Sequence, residues 1–505
     1  MTPVSASAST PKVATIGHWV GGRAVDGLSG RTAPVYDPAR GVQVAEVALA
    51  SASEVTDVVK VARAAAGPWG EASLTTRAAA LFHFRELIDR HRDALASLVT
   101  REHGKVRSDA LGEVARGLEC VEFACGIPHL LKGTLSSEVS TGVDVHTILQ
   151  PIGVVAGITP FNFPVMVPMW MLSNAIACGN AFVLKPSEKD PSPSMLIAEL
   201  AHQAGIPDGI FQVVHGDVEA VDALLSSPDV DAVSFVGSTP VARHVYETGT
   251  RHGKRVQALG GAKNHMVVLP DADLDGAADA AISAAYGSAG ERCMAISIVV
   301  AVGAVADPLV EAIGQRISSV VVGPGDAADS MMGPLITREH RDRVRGYVEG
   351  ATAEGARVVV DGVAPDSDGF FTGCVLLDGV APGMRVYDDE IFGPVLGVVR
   401  VDTYEDAVAL VNANPYGNGV ALFTRDGGVA RRFQREVEVG MVGINVPIPV
   451  PVAWHSFGGW KASLFGDCPM YGPEGIRFYT RPKVVTSRWP EPTTSAIDLG
   501  FPTNR

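Results

Sequence analysis

The sequence predicts an α/β protein of several domains whose principal sheet is parallel and covered on both faces. Three observations carry this. Between residues 152 and 268, short β-branched runs alternate with helical patterns: "IGVVAGI", "AFVLKPS", helix "PSMLIAELAHQAG", "FQVVHG", "AVSFVGS", helix "PVARHVYETGTRHG" and "HMVVLP". Runs of that length separated by helices mean βαβ units. A second α/β stretch follows from about 271 to 445, and a chain of 505 residues, 47% hydrophobic and 19% charged, provides for about three ordinary globular domains.

The elements follow in order. The N-terminal "MTPVSASASTPKVA" lacks the basic start and apolar run of a signal peptide and reads as a loose tail over 1–14. From residue 76 to about 126 the apolar spacing is helical, punctuated by Gly104 and Gly126. "VDVHTILQPIG" alternates like an exposed or inter-subunit strand, and so does the terminal "GIRFYTRPKVVTSRWP". A terminal strand with no local partner pairs across subunits, so a homo-oligomer is expected. The apolar region 151–179 is interrupted by Pro160, Asn162, Pro164, Pro168 and Asn174, which fits a buried wall better than a membrane span.

Charge and cysteine usage narrow the function classes. A net charge of −15 without a Lys/Arg run argues against nucleic acid or an anionic membrane as main partner; a local basic pocket for a small anion stays open. The six cysteines are scattered without metal-ligand or disulfide spacing, as in a reducing, cytoplasmic setting.

Parallel sheets bind ligands at the carboxyl ends of their strands. In "FVGSTPVARHVYE", Gly237 and Ser238 stand at such an exit, with Thr239 as candidate N-cap and Pro240 at the first helical position. A helix start of this kind presents free N–H groups to a pyrophosphate, although the same residues also make an ordinary strand-to-helix turn. In "VLKPSEKDP", Lys185 and Glu188 could hold ribose hydroxyls, and a carboxylate there repels a 2′-phosphate, favouring NAD over NADP. Singly, each also reads as a surface charge. "YGSAGERCMAIS" gives Cys293 a neighbouring cation, Arg292, and an approach of small residues, as a reactive thiolate requires. Cys125 and Cys178 read as simply buried. In "ITPFNFP", Asn162 is an amide in a rigid, water-poor wall, suited to an oxyanion or equally to satisfying a Pro-rich turn.

Together and in this order, "TPFNFP", "KPSE", "FVGST", "GERC", "DEIFGPV" and "FGGWKAS" resemble the aldehyde dehydrogenase superfamily over nearly the whole chain. The resemblance implies that family's fold: a Rossmann-type cofactor domain over 15–130 and 152–261, a second α/β catalytic domain over 262–445, and a small β oligomerisation arm from 131–151 and 474–490. It implies Cys293 as nucleophile, with Asn162 and the Cys293 N–H as oxyanion hole. NAD would be held by Thr159, Phe161, Lys185, Glu188, Gly237, Ser238, Glu390 and Phe392. No metal is implied.

One position departs from the hydrolytic members. Their Glu-Leu-Gly-Gly-Lys glutamate, which activates water, aligns on "GAK" with Leu259, or by a shift of one with Ala258. Together with "GSAGERCMA" and "ALGEVARGLE", this is similar to the CoA-acylating, methylmalonate-semialdehyde dehydrogenase branch. That branch oxidises malonate or methylmalonate semialdehyde, loses the carboxyl group, and passes the acyl group to coenzyme A. Arg116 and Arg292 match the two arginines it uses for the substrate carboxylate; Arg116 otherwise reads as a partner of Glu113 or Glu119. A CoA-independent, hydrolytic semialdehyde dehydrogenase is the alternative. Dimer or tetramer, and valine, inositol or another source of the substrate, remain open.

Overall fold

The computed structural model describes residues 14–489, so the tail expected over 1–14 lies, but for its last residue, outside the described residues. Among the described residues, an eight-stranded sheet is centred on five parallel strands in the order Phe211–Val213, Ala181–Lys185, Val154–Ile158, Ala232–Val236, Arg255–Leu259. The first three are buried at every residue, which is why they read as unbroken apolar runs. Antiparallel pairs extend both edges, through His18–Val20 and Arg23–Val25 on one side and Leu464–Phe465 on the other.

The chain steps outward from Val154–Ile158 in one direction for two strands, then returns and steps the other way. The reversal lies between Val154–Ile158 and Ala232–Val236. Sheet topology therefore opens a crevice where Thr159 and Gly237 leave their strands, the place such folds bind ligands.

Four long helices precede the parallel strands of this sheet: Ala52–Glu71, Leu74–Arg90, Arg92–His103 and Arg107–Cys125. The first, ahead of the stretch expected to be helical, starts from a capping box between Ser51 and Glu54. Gly104 ends the third in the left-handed region at φ 96°, which glycine enters without a Cβ penalty.

A seven-stranded sheet forms a second core. It runs Arg357–Asp361, Val375–Asp378, Val395–Val401, Ile296–Val302, Asn264–Val268, Gly419–Phe423, Met441–Ile444, parallel except for the first strand. "HMVVLP" thus belongs to this sheet and not to the one formed by the runs before it. Leu259 ends a strand of one sheet and Asn264 begins a strand of the other, so no helix marks the change.

A third sheet contains Leu135–Ser140, Val143–Pro151 and Thr480–Arg488. The terminal strand pairs with Val143–Pro151 over all nine of its residues, so its partner is in the same chain, and the expected absence of one is corrected. Sequence distance hid the pairing. No helix among the described residues is long and apolar enough to cross a membrane.

Candidate active site

A cleft of about 800 Å³ lies where the strand exits of the eight-stranded sheet face the strand starts of the seven-stranded one. Phe161 and Asn162 come to it from the exit of Val154–Ile158, Gly237 and Ser238 from that of Ala232–Val236, and Gly260 and Gly261 from that of Arg255–Leu259. Cys293, Glu390 and Phe392 close it from the other side. Side chains more than 200 residues apart in sequence are thereby brought together.

The turn before the nucleophile is strained. Ser288, Ala289 and Gly290 lie in the left-handed region at φ 52°, 52° and 74°, and a Cβ on Gly290 would meet the Gly393 carbonyl oxygen at 2.3 Å. Two non-glycine residues in that region are costly and persist only where their surroundings enforce them. Beyond the turn, the Cys293 carbonyl accepts from Asn264 Nδ2 at 2.9 Å and Asn418 Nδ2 at 3.0 Å. Asn162 is buried, and its Nδ2 donates to the Glu291 carbonyl at 2.9 Å. One of its two amide hydrogens remains for another acceptor.

Its surroundings disfavour the Cys293 thiolate. Burial, and then the Glu390 carboxylate, push the Cys293 thiol up to about 12, against the opposing pull of the Cys293 and Met294 N–H groups and, last, of Arg292. The adjacent cation acts in the expected direction, but desolvation outweighs it. The Arg292 guanidinium is turned away onto Asp109 at 2.6 Å.

Burial likewise raises the Glu390 carboxyl to about 7, opposed by the Ala262 N–H, which it accepts at 2.8 Å, and by Lys263. Above that pH its negative charge suppresses thiolate formation at Cys293. Glu390→Gln should accordingly lower the thiol pKa, and at pH 8 iodoacetamide should label Cys293 faster by about 10-fold, as expected from removing one nearby charge. Mass spectrometry of the Cys293 peptide measures this; an unchanged or slower rate would contradict the coupling.

The remaining expected residues lie at different distances from the cleft. Ser238, not Thr239, is the N-cap of the helix Thr239–Arg251, with no side-chain capping bond. Thr239 Oγ1 instead accepts from the Gly261 N–H at 2.8 Å, tying two strand exits together. Lys185 and Glu188 approach each other at 3.5 Å at the end of their strand, outside the cleft wall, where Lys189 stands instead. Thr159 donates its N–H to the Lys185 carbonyl at 3.1 Å, and its buried hydroxyl has no partner. Phe161 and Phe392 meet edge to face at 5.9 Å.

Neither arginine lines the 800 Å³ cleft, although Arg292 shares a small adjoining pocket with Cys293. Arg116 Nη1 donates to Glu119 at 2.9 Å, and its Nη2 donates to the Val450 and Pro451 carbonyls at 3.1 Å. Glu113 is engaged elsewhere. Arg116 borders an aromatic group in which Tyr471 donates its hydroxyl to Pro451 and packs on Trp170 at 5.1 Å; Arg116 and Cys293 both act electrostatically on that hydroxyl. Arg292 lines a separate cavity of about 460 Å³ with Asp109, Ser288 and Arg316.

The model of the "Aldehyde dehydrogenase family" matches residues 25–485. The chain belongs to this family. A malonate-semialdehyde dehydrogenase of Pseudomonas aeruginosa is 52% identical over 97% of this aldehyde dehydrogenase and 99% of its own length. A crystal structure from Oceanimonas doudoroffii of a methylmalonate-semialdehyde dehydrogenase is 52% identical with a TM-score of 0.93, covering 95% of this chain and 99% of its own. A Sinorhizobium meliloti protein described as a methylmalonate-semialdehyde dehydrogenase, solved with NAD, is 49% identical with a TM-score of 0.94, over 96% of this chain and 100% of its own. The fold expected from the motifs is that of the family.

Several residues that shape the aldehyde dehydrogenase site went unassigned in the sequence. Asn264 stands in "GAKNH" and Asn418 in "YGNG"; their grip on the Cys293 carbonyl needs the parallel neighbours Asn264–Val268, Ile296–Val302 and Gly419–Phe423. The signal available was polarity where a strand begins. His340, whose Nε2 lies 2.6 Å from the Phe392 carbonyl, gave none.

Proposed function

We propose that this aldehyde dehydrogenase oxidises malonate or methylmalonate semialdehyde with NAD through a Cys293 thioester, decarboxylates the acyl group and transfers it to coenzyme A. The observation that carries the thiolysis step is Leu259. It is buried at a strand end whose next residues, Gly260 and Gly261, line the cleft. No ionisable side chain follows before Lys263, so the position where hydrolytic relatives activate water has no base. The names of the relatives support the substrate class, and the NAD-bound relative supports the cofactor.

The residues fit NAD. Gly237, Ser238 and Pro240 bring an uncapped helix N-terminus to the cleft, a natural seat for a pyrophosphate, and a Cβ on Gly237 would strike the Phe235 ring at 2.5 Å. Lys185 and Glu188 would hold the adenosine ribose, and Thr159, Phe161, Glu390 and Phe392 the nicotinamide end. NAD, when bound, supplies the hydride acceptor. On the protein side, Cys293 gives its thiol proton to water in the cleft and adds as thiolate to the aldehyde carbon. The free Asn162 amide hydrogen and the Cys293 N–H receive the oxyanion, and collapse of the adduct, with the aldehyde C–H bond broken and its hydrogen leaving as hydride, leaves the acyl group on sulfur. That thioester is beta to the substrate carboxylate, so loss of carbon dioxide leaves an enolate which a proton quenches. Coenzyme A thiolate then attacks the thioester and releases Cys293.

Arg116, close to the aromatic wall, would take the substrate carboxylate; Arg292 would do so on exchanging Asp109 for it. Arg116→Leu should then raise KM for malonate semialdehyde about 10-fold or more, as loss of a charge-assisted bond does, with KM for propanal little changed. Equal effects on both substrates would remove Arg116 from this role. The exposed Leu135, Ile148 and Val484 of the third sheet support a homo-oligomer. The deciding experiment is NADH formation from malonate semialdehyde and NAD with and without coenzyme A, with the product identified: acetyl-CoA upholds thiolysis, free malonate without CoA establishes hydrolysis.

A further inference from the structure

Beneath the catalytic wall lies a buried ion pair that the mechanism above does not use. Lys105 and Glu113 have side chains with no exposure to solvent, and Nζ donates to Glu113 Oε2 at 2.8 Å. Lys105 follows the left-handed Gly104, and Glu113 stands two turns into the helix Arg107–Cys125. A buried pair of this kind adds little net stability, because desolvation offsets the attraction. Its remaining bonds point to what it does.

All of those bonds go to one segment. Lys105 Nζ donates to the main-chain carbonyl of Asn162 at 2.6 Å and sits 4.3 Å from the Phe163 ring centroid. Glu113 Oε1 accepts the N–H of Val165 at 2.8 Å and of Met166 at 3.2 Å, where the helix Met166–Ala177 begins without a side-chain cap of its own. The pair grips residues 162–166 at both ends. Fixing the Asn162 carbonyl fixes the peptide plane from which its side chain departs. The opposite end of that side chain is held only by the Glu291 carbonyl.

We propose that Lys105, clamped by Glu113, is a positioning residue that sets the Asn162 amide for the oxyanion on Cys293. The inference rests on the reading of Asn162 as oxyanion donor. It follows that Lys105 acts on the rate only through Asn162, and a double-mutant cycle separates that from general damage.

The measured quantity is the single-turnover rate of NADH formation, which precedes acyl release and is independent of coenzyme A. Asn162→Ala should slow it about 10²–10³-fold, and Lys105→Met about 10–10²-fold, the effect of a displacement near 1 Å. The double variant should match Asn162→Ala within about twofold, with NAD affinity kept in all three. Glu113→Gln, entered in the same cycle, should show the same masking and serves if Lys105→Met does not fold. Effects that multiply in the double variant would overturn the role of Lys105 alone. An Asn162→Ala enzyme with an unslowed single turnover would remove the oxyanion reading itself.

Discussion

Cys293→Ala should form no NADH with any aldehyde, while binding NAD as the parent enzyme does. The five other cysteines cannot substitute: Cys120, Cys125, Cys178 and Cys374 are buried, and Cys468 is not in the wall of the cleft. Asn162, Asn264 and Asn418 converge on residues 291–293, so the oxyanion apparatus survives the substitution without an attacking atom to serve. Removing a nucleophile from an otherwise intact site costs on the order of 10⁴-fold or more. The test pairs a stopped-flow assay with NAD titration by calorimetry. Turnover within about 10-fold of the parent would transfer the chemistry from Cys293 to another group.

Withholding coenzyme A should stop the enzyme after one equivalent of NADH per site. The acyl group then sits on Cys293 with no general base at Leu259 to activate water, and steady-state turnover should fall by about 10²–10⁴-fold relative to saturating CoA. A thiol with its own appreciable thiolate fraction has no such need. The burst and the stall are read in one progress curve, and the stalled enzyme should carry the acetyl or propionyl mass increment on the Cys293 peptide. Linear NADH formation over many turnovers without CoA would mean that a carboxylate of the cleft wall, such as Glu390, has replaced the missing glutamate.

The sequence exposes features whose cause is local. Runs such as "AFVLK" are strands because both faces are covered, and "GERC" stands out because a thiol follows a cation and a run of small residues. Features set by distant partners were hidden. Arg292 sits beside Cys293 in sequence, yet Asp109, 183 residues away, draws its guanidinium out of the cleft. The terminal strand pairs with residues more than 300 positions earlier, and Ser238, not Thr239, caps its helix, while the Thr239 hydroxyl accepts from Gly261 on another strand exit. The burial that outweighs the charge of Arg292 at the thiol is a property of the assembled cleft.

Asn264 and Asn418 fasten the Cys293 carbonyl to the seven-stranded sheet, while Asn162 hangs from the end of a strand in the eight-stranded one. Attacking sulfur and receiving amide are thus mounted on different bodies, and their alignment gauges how those bodies are seated. Heat or cosolvent that loosens the seam by a fraction of an ångström would silence the enzyme while both cores stay folded. Inactivation would then run ahead of melting.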